Sequence, residues 1–198
     1  MNQYFENNEK LASELRKIKY QINDIDFVFN SDLGVFSKNH IDYGSKVLVE
    51  TIINNNKNYK SILDLGCGYG YIGIVLGKIF NAQVEMVDIN QRSIHLCKKN
   101  IKENKVGADV YISSAYDEVN NKFDLIVTNP PIRAGKNIVL EFLMGAKDYL
   151  KKDGELWFVI RKDQGAKSIE KQISELYKVD LVKKSKGFYI FSAKMIDN

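Results

Sequence analysis

Regular alternation of apolar strands with helix-patterned segments is the feature that most constrains the fold of this chain. From about residue 60 onward, short apolar runs such as LIV (125–127) and LWFVI (156–160) are each followed by a segment with helical spacing. Strands that are continuously apolar are typical of strands covered on both faces by helices. Alternating strands and helices therefore predict an α/β domain with a parallel sheet.

The individual elements follow from this pattern. We predict strands at KSILDLG, QVEMVDI, ADVYIS, FDLIVTN and GELWFVIR, and helices at about 69–80, QRSIHLCKKNIKEN, IVLEFLMGAKDYLKK and GAKSIEKQISELY. Two last runs, VDLVKKS and FYIFSAKMI, flank Lys186-Gly187 and predict a hairpin that brings an antiparallel strand into the sheet. Ahead of the sheet, DYGSKVLVETIINN (42–55) predicts a further helix.

Residues 1–45 have too few apolar residues for a core of their own, so we expect an extension to a domain formed by residues 46–198. Leu11, Leu15 and Ile18 follow helical spacing, which predicts a short basic helix over residues 6–20. The stretch DFVFNSDLGVFS (26–37) alternates and contains SDLG, which predicts a hairpin. We expect this helix and hairpin to pack over the functional site.

Composition excludes several classes of protein. No apolar run approaches the roughly 20 residues of a membrane helix, and the first residues lack the apolar core of a signal peptide. Cys67 and Cys97 form neither a disulfide framework nor a zinc pattern. We therefore expect a cytoplasmic protein with no membrane partner and no metal. The net charge of +4 permits nucleic acid as a partner without requiring it.

The glycine-rich segment DLGCGYGYIG (64–73) joins the first predicted strand of the sheet to its helix. Gly66, Gly68 and Gly70 permit positive φ and leave no Cβ to obstruct a ligand. The helix that follows points its first N–H groups at such a ligand. In an open α/β sheet the pocket lies at the carboxyl ends of the strands, and we place it there.

This turn fits two classes of cofactor. Gly68, Gly70 and Gly73 satisfy G-x-G-x-x-G, and Asp88 follows at about the interval of a ribose-binding acid, so a nicotinamide- or flavin-dependent enzyme stays open. Asp64, two residues before the first glycine, would repel a pyrophosphate but suits a ligand with an ammonium group. Asp88 ends the second strand of the sheet and can accept both hydroxyls of a ribose.

Asn129-Pro130-Pro131 holds both prolines of the chain and directly follows an apolar strand. The prolines fix φ and lack N–H groups, so the Pro130 carbonyl and the Asn129 side-chain carbonyl are expected to be rigid acceptors. An exocyclic amine is a poor nucleophile because its lone pair is delocalised, and two fixed acceptors can draw it toward a tetrahedral shape. The motif therefore predicts preorganised binding of an amine beside the cofactor.

In this order and spacing, DLGCGYG, VDIN and NPPI resemble the class I S-adenosylmethionine-dependent methyltransferases, and Asn-Pro-Pro resembles the signature of those that methylate amino groups. FNSDLGVFSKNHIDYG, NPPI and KGFYIFSAKM together resemble the small-subunit ribosomal RNA guanine 2-amino methyltransferases over most of residues 26–196. The resemblance implies a Rossmann-like fold with a seven-stranded, mostly parallel sheet in the order 3-2-1-4-5-7-6. It also implies S-adenosylmethionine as cofactor, S-adenosylhomocysteine as product, and ribosomal RNA or the small ribosomal subunit as partner.

The resemblance assigns roles to residues as well. Those expected to bind the amine and to direct catalysis are Asn129, Pro130, Pro131 and Ile132. Those expected to contact the cofactor are Asp64, Gly66, Cys67, Gly68, Gly70, Asp88, Ile89, Ser114, Ala115 and Asn129. Phe36 is the candidate for stacking near the reacting base or for lining the methionine end of the cofactor.

Two departures from the resemblance leave alternatives open. Ile132 stands where many amine-directed relatives carry Tyr or Phe, so a bound base would take its stacking surface from elsewhere. Full-length enzymes of the group carry two tandem copies of this domain, and this chain has one. The alternatives are a protein glutamine amide methyltransferase, an NAD(P)-dependent oxidoreductase, and a catalytically silent RNA-binding module that keeps the fold.

Overall fold

The computed structural model describes residues 15–32 and 40–196. Within these residues the strands are β1 (Arg16–Ile22), β2 (Ile25–Ser31), β3 (Ser61–Leu65), β4 (Gln83–Asp88), β5 (Ala108–Ile112), β6 (Phe123–Thr128), β7 (Leu150–Arg161), β8 (Tyr177–Ser185) and β9 (Phe188–Met195). The α-helices are α1 (Tyr43–Ile53), α2 (Tyr71–Phe80), α3 (Gln91–Asn104), α4 (Lys136–Gly145) and α5 (Ala166–Ile173). None of these helices is both long and apolar enough to cross a membrane.

Seven strands form the central sheet in the order β5-β4-β3-β6-β7-β9-β8. Strands β3 to β7 pair in parallel, and β9 runs antiparallel between β7 and β8. Counted from β3, this is the order 3-2-1-4-5-7-6, so the predicted Rossmann-like fold with a closing antiparallel hairpin is confirmed. Lys186 and Gly187 form the two-residue turn of that hairpin, with φ of 46° and 82°.

Helices cover both faces of this sheet. Leu125 and Val127 of β6 pack into the core formed with α1, α2 and α3, whereas Ile126 packs into the core formed with α4 and α5. Because residues on both sides of a central strand are buried, the strand is apolar without alternation, as the sequence indicated.

The N-terminal extension differs from the prediction. Arg16–Ile22 is a strand that pairs antiparallel with β2, so the helix predicted over residues 6–20 is wrong for residues 16–20, and residues 6–14 lie outside the described part. Ile18 and Tyr20 alternate with lysines, and Tyr20 packs edge-on against Tyr71. Pairing with β2 buries this alternating face, which outweighs the weak preference of a short isolated helix.

Of the hairpin predicted over residues 26–37, residues 26–31 belong to β2 and residues 33–37 lie outside the described part. The hairpin that the structure describes is formed by β1 and β2. Its turn is Asn23-Asp24, with φ of 49° and 59°, and it joins β1 directly to β2. β2 packs on α3, where the side chains of Asn100 and Asn104 accept from the backbone N–H groups of Asn30 and Val28 at 2.7 and 3.0 Å. The predicted boundary after residue 45 falls inside α1, which packs into the core of the domain.

Candidate functional site

A cavity of about 600 Å³ lies at the carboxyl ends of the parallel strands, where the sequence placed it. Its wall includes the start of α1, the glycine-rich turn after β3, the ends of β4 and β5, and the Asn-Pro-Pro turn after β6. One side of α4 and the adjoining ends of β7 and β9 complete this part of the wall. These segments are distant in the sequence, and the parallel order of the sheet brings them together.

Most of the residues predicted for the site line this cavity. They are Gly66, Cys67, Gly68, Asp88, Ile89, Ser114, Ala115, Asn129, Pro130, Pro131 and Ile132. Asp64 and Gly70 do not belong to the wall: Asp64 is fully buried, and Gly70 is the N-cap of α2. Phe36 lies outside the described residues, so its role stays a prediction.

The glycine-rich turn is fixed to the end of β4. The backbone N–H groups of Gly66 and Cys67 both donate to the Val87 carbonyl at 2.9 Å, and that of Gly68 donates to Asp88 Oδ2 at 2.8 Å. Gly68 has a φ of +55°, and a Cβ placed there would meet no atom within 4 Å. The turn therefore offers bare backbone to open space, which suits close approach by a ligand.

Asp64 supports this turn from inside the domain. Its side chain is fully buried, and its Oδ2 accepts from the Gly73 N–H of α2 at 2.8 Å. Its Oδ1 has no hydrogen-bond partner within residues 15–32 and 40–196. Burial raises the pKa of Asp64 to about 7; the Gly73 hydrogen bond opposes this shift and the charge of Asp88 adds to it. An incompletely paired, buried acid favours a cationic ligand group and disfavours a pyrophosphate.

Asp88 is held in a fixed orientation at the end of β4. Its Oδ1 accepts from the Asn90 N–H and its Oδ2 from the Gly68 N–H, both at 2.8 Å. Burial raises the pKa of Asp88, and these backbone hydrogen bonds work against the shift. Each oxygen keeps a lone pair that can accept from a ribose hydroxyl.

The side chain of Asn129 is oriented by α1. Its Nδ2 donates to Asp42 Oδ2 at 3.0 Å and to Ser45 Oγ at 2.9 Å. Because both amide protons are used, the side-chain oxygen is left to accept from a ligand in the cavity. Asp42 is the N-cap of α1 and its Oδ2 also accepts from the Ser45 N–H at 2.8 Å, so the start of this helix forms one unit with Asn129.

The two prolines lie in a turn that is tighter than their fixed φ angles by themselves require. The Ile132 N–H donates to the Pro130 carbonyl at 2.8 Å, and Pro131 has φ −75° and ψ 77°, which is an inverse γ-turn. This hydrogen bond fixes the direction of the carbonyl and leaves one of its lone pairs for another donor. Just before the turn, Thr128 Oγ1 donates to the Leu65 carbonyl at 2.7 Å and ties β6 to β3.

Several residues of the wall were not predicted from the sequence. They include Asp42, Ser45, Glu141, Phe142, Arg161, Gln164 and Phe188. The link from Asp42 to Asn129 spans 87 positions and leaves no local signal. Arg161 and Phe188 are directly paired across β7 and β9, so the predicted sheet order together with the strand ends would have located them.

The described residues offer no group of three or more His, Cys, Asp or Glu side chains that could hold a metal ion.

Comparison with known proteins places the chain in a family. The family model described as Methyltransferase small domain matches residues 26–192. The "Uncharacterized protein YbxB" of Bacillus subtilis (strain 168) is 37% identical over 198 residues, which cover 98% of each chain. Ribosomal RNA small subunit methyltransferase C of Haemophilus influenzae (strain 86-028NP) is 40% identical over 131 residues, covering 64% of this chain and only 39% of that protein.

Solved structures share the same architecture. The T. thermophilus 16S rRNA N2 G1207 methyltransferase (RsmC), in complex with AdoMet and guanosine, has a TM-score of 0.80 at 23% identity, over 94% of this chain and 52% of that chain. The ribosomal protein L11 methylase from Lactobacillus delbrueckii subsp. bulgaricus has a TM-score of 0.68 at 22% identity, over 80% and 85% of the two chains. At these identities the likeness is one of fold. The family match itself covers most of the sequence, and the chain belongs to the methyltransferase small domain family.

Proposed function

We propose that this protein transfers a methyl group from S-adenosylmethionine to the 2-amino group of a guanine in small-subunit ribosomal RNA. The observation that carries the proposal is the fixed pair of acceptors at the Asn-Pro-Pro turn. Asn129 has both amide protons bound by α1, and the Pro130 carbonyl is directed by its γ-turn, so two oxygens of the cavity wall are preorganised to accept.

The residues of the cavity fit S-adenosylmethionine. The open side of Gly68 accommodates the methionine part, Asp64 favours its amino group, and Asp88 accepts the ribose hydroxyls. Ile89, which is 46% exposed, and Ser114 and Ala115 line the part of the wall expected to meet the adenine. When bound, the cofactor supplies a methyl group on a positively charged sulfur, which is already a reactive electrophile.

Asn129 and Pro130 act on the amine. Each accepts one N–H of the amino group, which reduces delocalisation of the nitrogen lone pair and aligns it with the methyl group. The carbon–sulfur bond breaks with its electron pair on sulfur as the carbon–nitrogen bond forms, and the nitrogen gains positive charge. Both acceptors stabilise that charge, so their hydrogen bonds strengthen toward the transition state. The methylated nitrogen then loses one proton to solvent.

The choice of substrate rests on the relatives and on the sequence segments quoted for it. Proteins named ribosomal RNA small subunit methyltransferase C are similar over 64% of the chain, and the T. thermophilus neighbour is named for the N2 position of a guanine. The neighbour named as a ribosomal protein L11 methylase has a lower TM-score, so a protein is the weaker substrate class on these grounds.

Labelled methyl transfer to small-subunit RNA from cells that lack the gene tests the proposal. We expect the parent protein to label this RNA and digestion to release 2-methylguanosine. Asn129→Ala should lower the rate on the order of 10²–10³-fold, because one preorganised acceptor is lost. Affinity for S-adenosylhomocysteine should stay within about twofold, since Asn129 binds the amine more than the cofactor.

The matched control is Asn120→Ala, an exposed asparagine whose Nδ2 bonds the Glu118 carbonyl away from the cavity. This variant should methylate RNA at the parent rate. Label in a glutamine side chain of a protein, with no methylated guanine, would replace RNA by a protein amide as substrate. Binding of NAD in preference to S-adenosylhomocysteine would overturn methyl transfer altogether.

A further inference from the structure

The cavity continues past Asn129 to the tip of the β8–β9 hairpin. Arg161 at the end of β7 and Phe188 at the start of β9 line this part of the wall and are direct partners in the sheet. Phe188 is half-buried, so its ring borders the cavity while one side packs against the protein.

Three neighbours hold the Phe188 ring in place. A Cβ at Gly44 would lie 2.7 Å from Phe188 Cε1, so the absence of a side chain there lets the ring rest on the start of α1. The rings of Tyr43 and Phe188 are 5.7 Å apart between centroids, and Arg161 Cζ lies 5.5 Å from the Phe188 centroid. Two hydrogen bonds to Asp163, at 3.1 and 3.0 Å, orient the Arg161 guanidinium.

The start of α1 brings this ring close to the amine-binding turn. The same Cβ position at Gly44 lies 3.2 Å from Asp42 Oδ2, the oxygen that accepts from Asn129. Phe188 and the carboxylate that orients Asn129 therefore both border a single glycine. An aromatic surface is thus placed beside the predicted amine acceptors, although the residue after the prolines is Ile132.

Three lysines lie at the tip of the β8–β9 hairpin, close in the sequence to Phe188. Lys183, Lys184 and Lys186 are exposed, and no acidic residue occurs between positions 181 and 195. Lys186 Nζ lies 4.9 Å from the Tyr43 ring centroid, and Lys184 Nζ lies 5.3 Å from that of Tyr189.

The tip is also fixed to the body of the domain. Tyr43 Oη and Ser185 Oγ are 2.8 Å apart, and the Lys162 N–H donates to the Gly187 carbonyl at 2.8 Å. A rigid tip positions its lysines relative to the cavity instead of letting them move independently.

We propose that this tip, residues 183–188, docks the RNA: Phe188 stacks on the target base, and the lysines bind the phosphates of neighbouring nucleotides. This inference rests on the proposed function and assigns the stacking surface that Ile132 does not supply. Aromatic rings bind the π-face of any base, and lysines neutralise phosphates regardless of sequence. The target base must leave its stack to bring its amine to Asn129, so the tip fits an unpaired or flipped nucleotide. A glutamine side chain has no aromatic ring, so it cannot stack on Phe188 as a base can.

A pair of variants at Phe188 tests the stacking role. Phe188→Leu keeps an apolar side chain against Gly44 but removes the ring, whereas Phe188→Tyr keeps the ring. We expect Phe188→Leu to lower kcat/KM for RNA on the order of tenfold or more, and Phe188→Tyr to stay within about threefold of the parent. Affinity for S-adenosylhomocysteine and the thermal melting temperature serve as checks on folding. Parent-like methylation by Phe188→Leu, or an equal loss of cofactor affinity, overturns the stacking role.

The lysines are tested through the salt dependence of RNA binding. With Lys184→Gln and Lys186→Gln combined, the slope of log affinity against log salt should fall by about 1.4, as expected for two lost phosphate contacts to a single strand. The matched control combines Lys122→Gln and Lys152→Gln, two exposed lysines at the amino ends of β6 and β7, away from the cavity. The control loses the same charge and should keep the parent slope. Equal slopes for the two double variants would overturn the docking role of the tip.

Failure of this inference and failure of the proposed function give different results. If the parent methylates RNA and the tip variants match it, the inference fails alone. If the parent binds S-adenosylhomocysteine but methylates no RNA, both fail. If the parent methylates a protein, and the tip variants do so equally well, the tip has no part in substrate binding.

Discussion

Asp64 and Glu155 are both carboxylates with almost no exposed surface, at 0% and 2%, but their surroundings differ. Asp64 lies at the carboxyl end of β3, directly behind the cavity. Glu155 lies level with Ile62, at the amino end of the same strand, through the pairing of β3, β6 and β7. Asp64 therefore lies at the end of the sheet that forms the cavity, and Glu155 lies at the opposite end.

Glu155 is fully paired. Its Oε2 accepts from Tyr59 Oη at 2.7 Å and from Trp157 Nε1 at 3.0 Å, and its Oε1 pairs with Lys57 and with Lys194. Burial disfavours ionisation of Glu155, but the hydrogen bonds from Lys57, Trp157 and Tyr59 outweigh it and lower its pKa to about 2.

Asp64 receives a single backbone N–H, and burial raises its pKa to about 7. The two acids differ in how far the protein itself stabilises their negative charge. The charge of Glu155 is balanced within the protein, whereas one oxygen of Asp64 has no hydrogen-bond partner among the described residues. Incomplete pairing of a buried acid is a cost in stability, and such costs are common near functional sites.

The largest expected effect comes from Asp64→Asn. In the unliganded parent the folded pKa of Asp64, about 7, exceeds the unfolded value of about 4. The stability that this proton confers is complete below about pH 4 and is lost as pH rises through 7, by up to about 4 kcal/mol. Asparagine has no proton to lose. Urea unfolding should therefore show the variant to be the more stable protein at pH 8 and the two to converge toward pH 4.

Ligand acts in the opposite direction and narrows that difference. The pKa of Asp88 is also raised and the two acids interact, so the difference between the two curves reports the ionisation of Asp64 together with its effect on Asp88. S-adenosylhomocysteine brings an ammonium group that favours the ionised acid, and Asp64→Asn should bind it about tenfold more weakly at pH 8. If the free energies of unfolding of parent and variant change in parallel with pH, the pKa of Asp64 is the same in the folded and unfolded states. That result would remove the contrast with Glu155.

A smaller and opposite effect is expected from Glu155→Gln. Breaking a fully buried ion pair costs about 3–5 kcal/mol, but Lys57 and Lys194 have side chains 44% and 55% exposed and can regain water. We therefore expect a loss of about 1–3 kcal/mol at pH 7 in urea unfolding, with methyl transfer within about twofold of the parent.

The direction in which this stabilisation changes with pH follows from the lowered pKa of Glu155. The folded pKa of Glu155 is lowered, so its contribution is present above about pH 4.5 and is lost as pH falls toward 2, where parent and variant should converge. Asp153→Asn, at an exposed acid of the same strand, is the control and should change stability by no more than about 0.5 kcal/mol. A large loss of methyl transfer in Glu155→Gln would mean that the two ends of the sheet are not independent.

The same contrast separates what could be predicted from the sequence from what could not. Asp64 and Asp88 belong to strand–turn–helix segments with local glycine and cap signals, and both were predicted for the site. Two of the partners of Glu155, Tyr59 and Lys57, lie 96 and 98 positions away, and only the register of the sheet brings them close to it. Local patterns thus identify ligand-facing turns but not buried networks.

Element prediction shows the same division. The helix predicted at QRSIHLCKKNIKEN is α3, because it has an apolar stripe and Asn90 as its N-cap. The segment that became β1 has apolar residues that fit either period, and its pairing with β2 decides between them. Asn129 was predicted from its motif, whereas Asp42 and Ser45, which orient it, depend on how α1 packs across the end of β6.

The smallest expected effect concerns Ser45, where the core and the site meet. Ser45→Ala removes one of the two acceptors that orient Asn129, and Asp42 still holds the other. We expect kcat to fall about three- to tenfold, as for the loss of one hydrogen bond of about 1 kcal/mol, while KM for the cofactor and the free energy of unfolding change little. Thr51→Val in the same helix is the control, since Thr51 Oγ1 bonds the Val47 carbonyl and not Asn129. This control should alter stability without altering the rate. A Ser45→Ala protein that loses stability yet keeps the parent rate would mean that α1 serves the core alone and that Asp42 suffices to orient the amide.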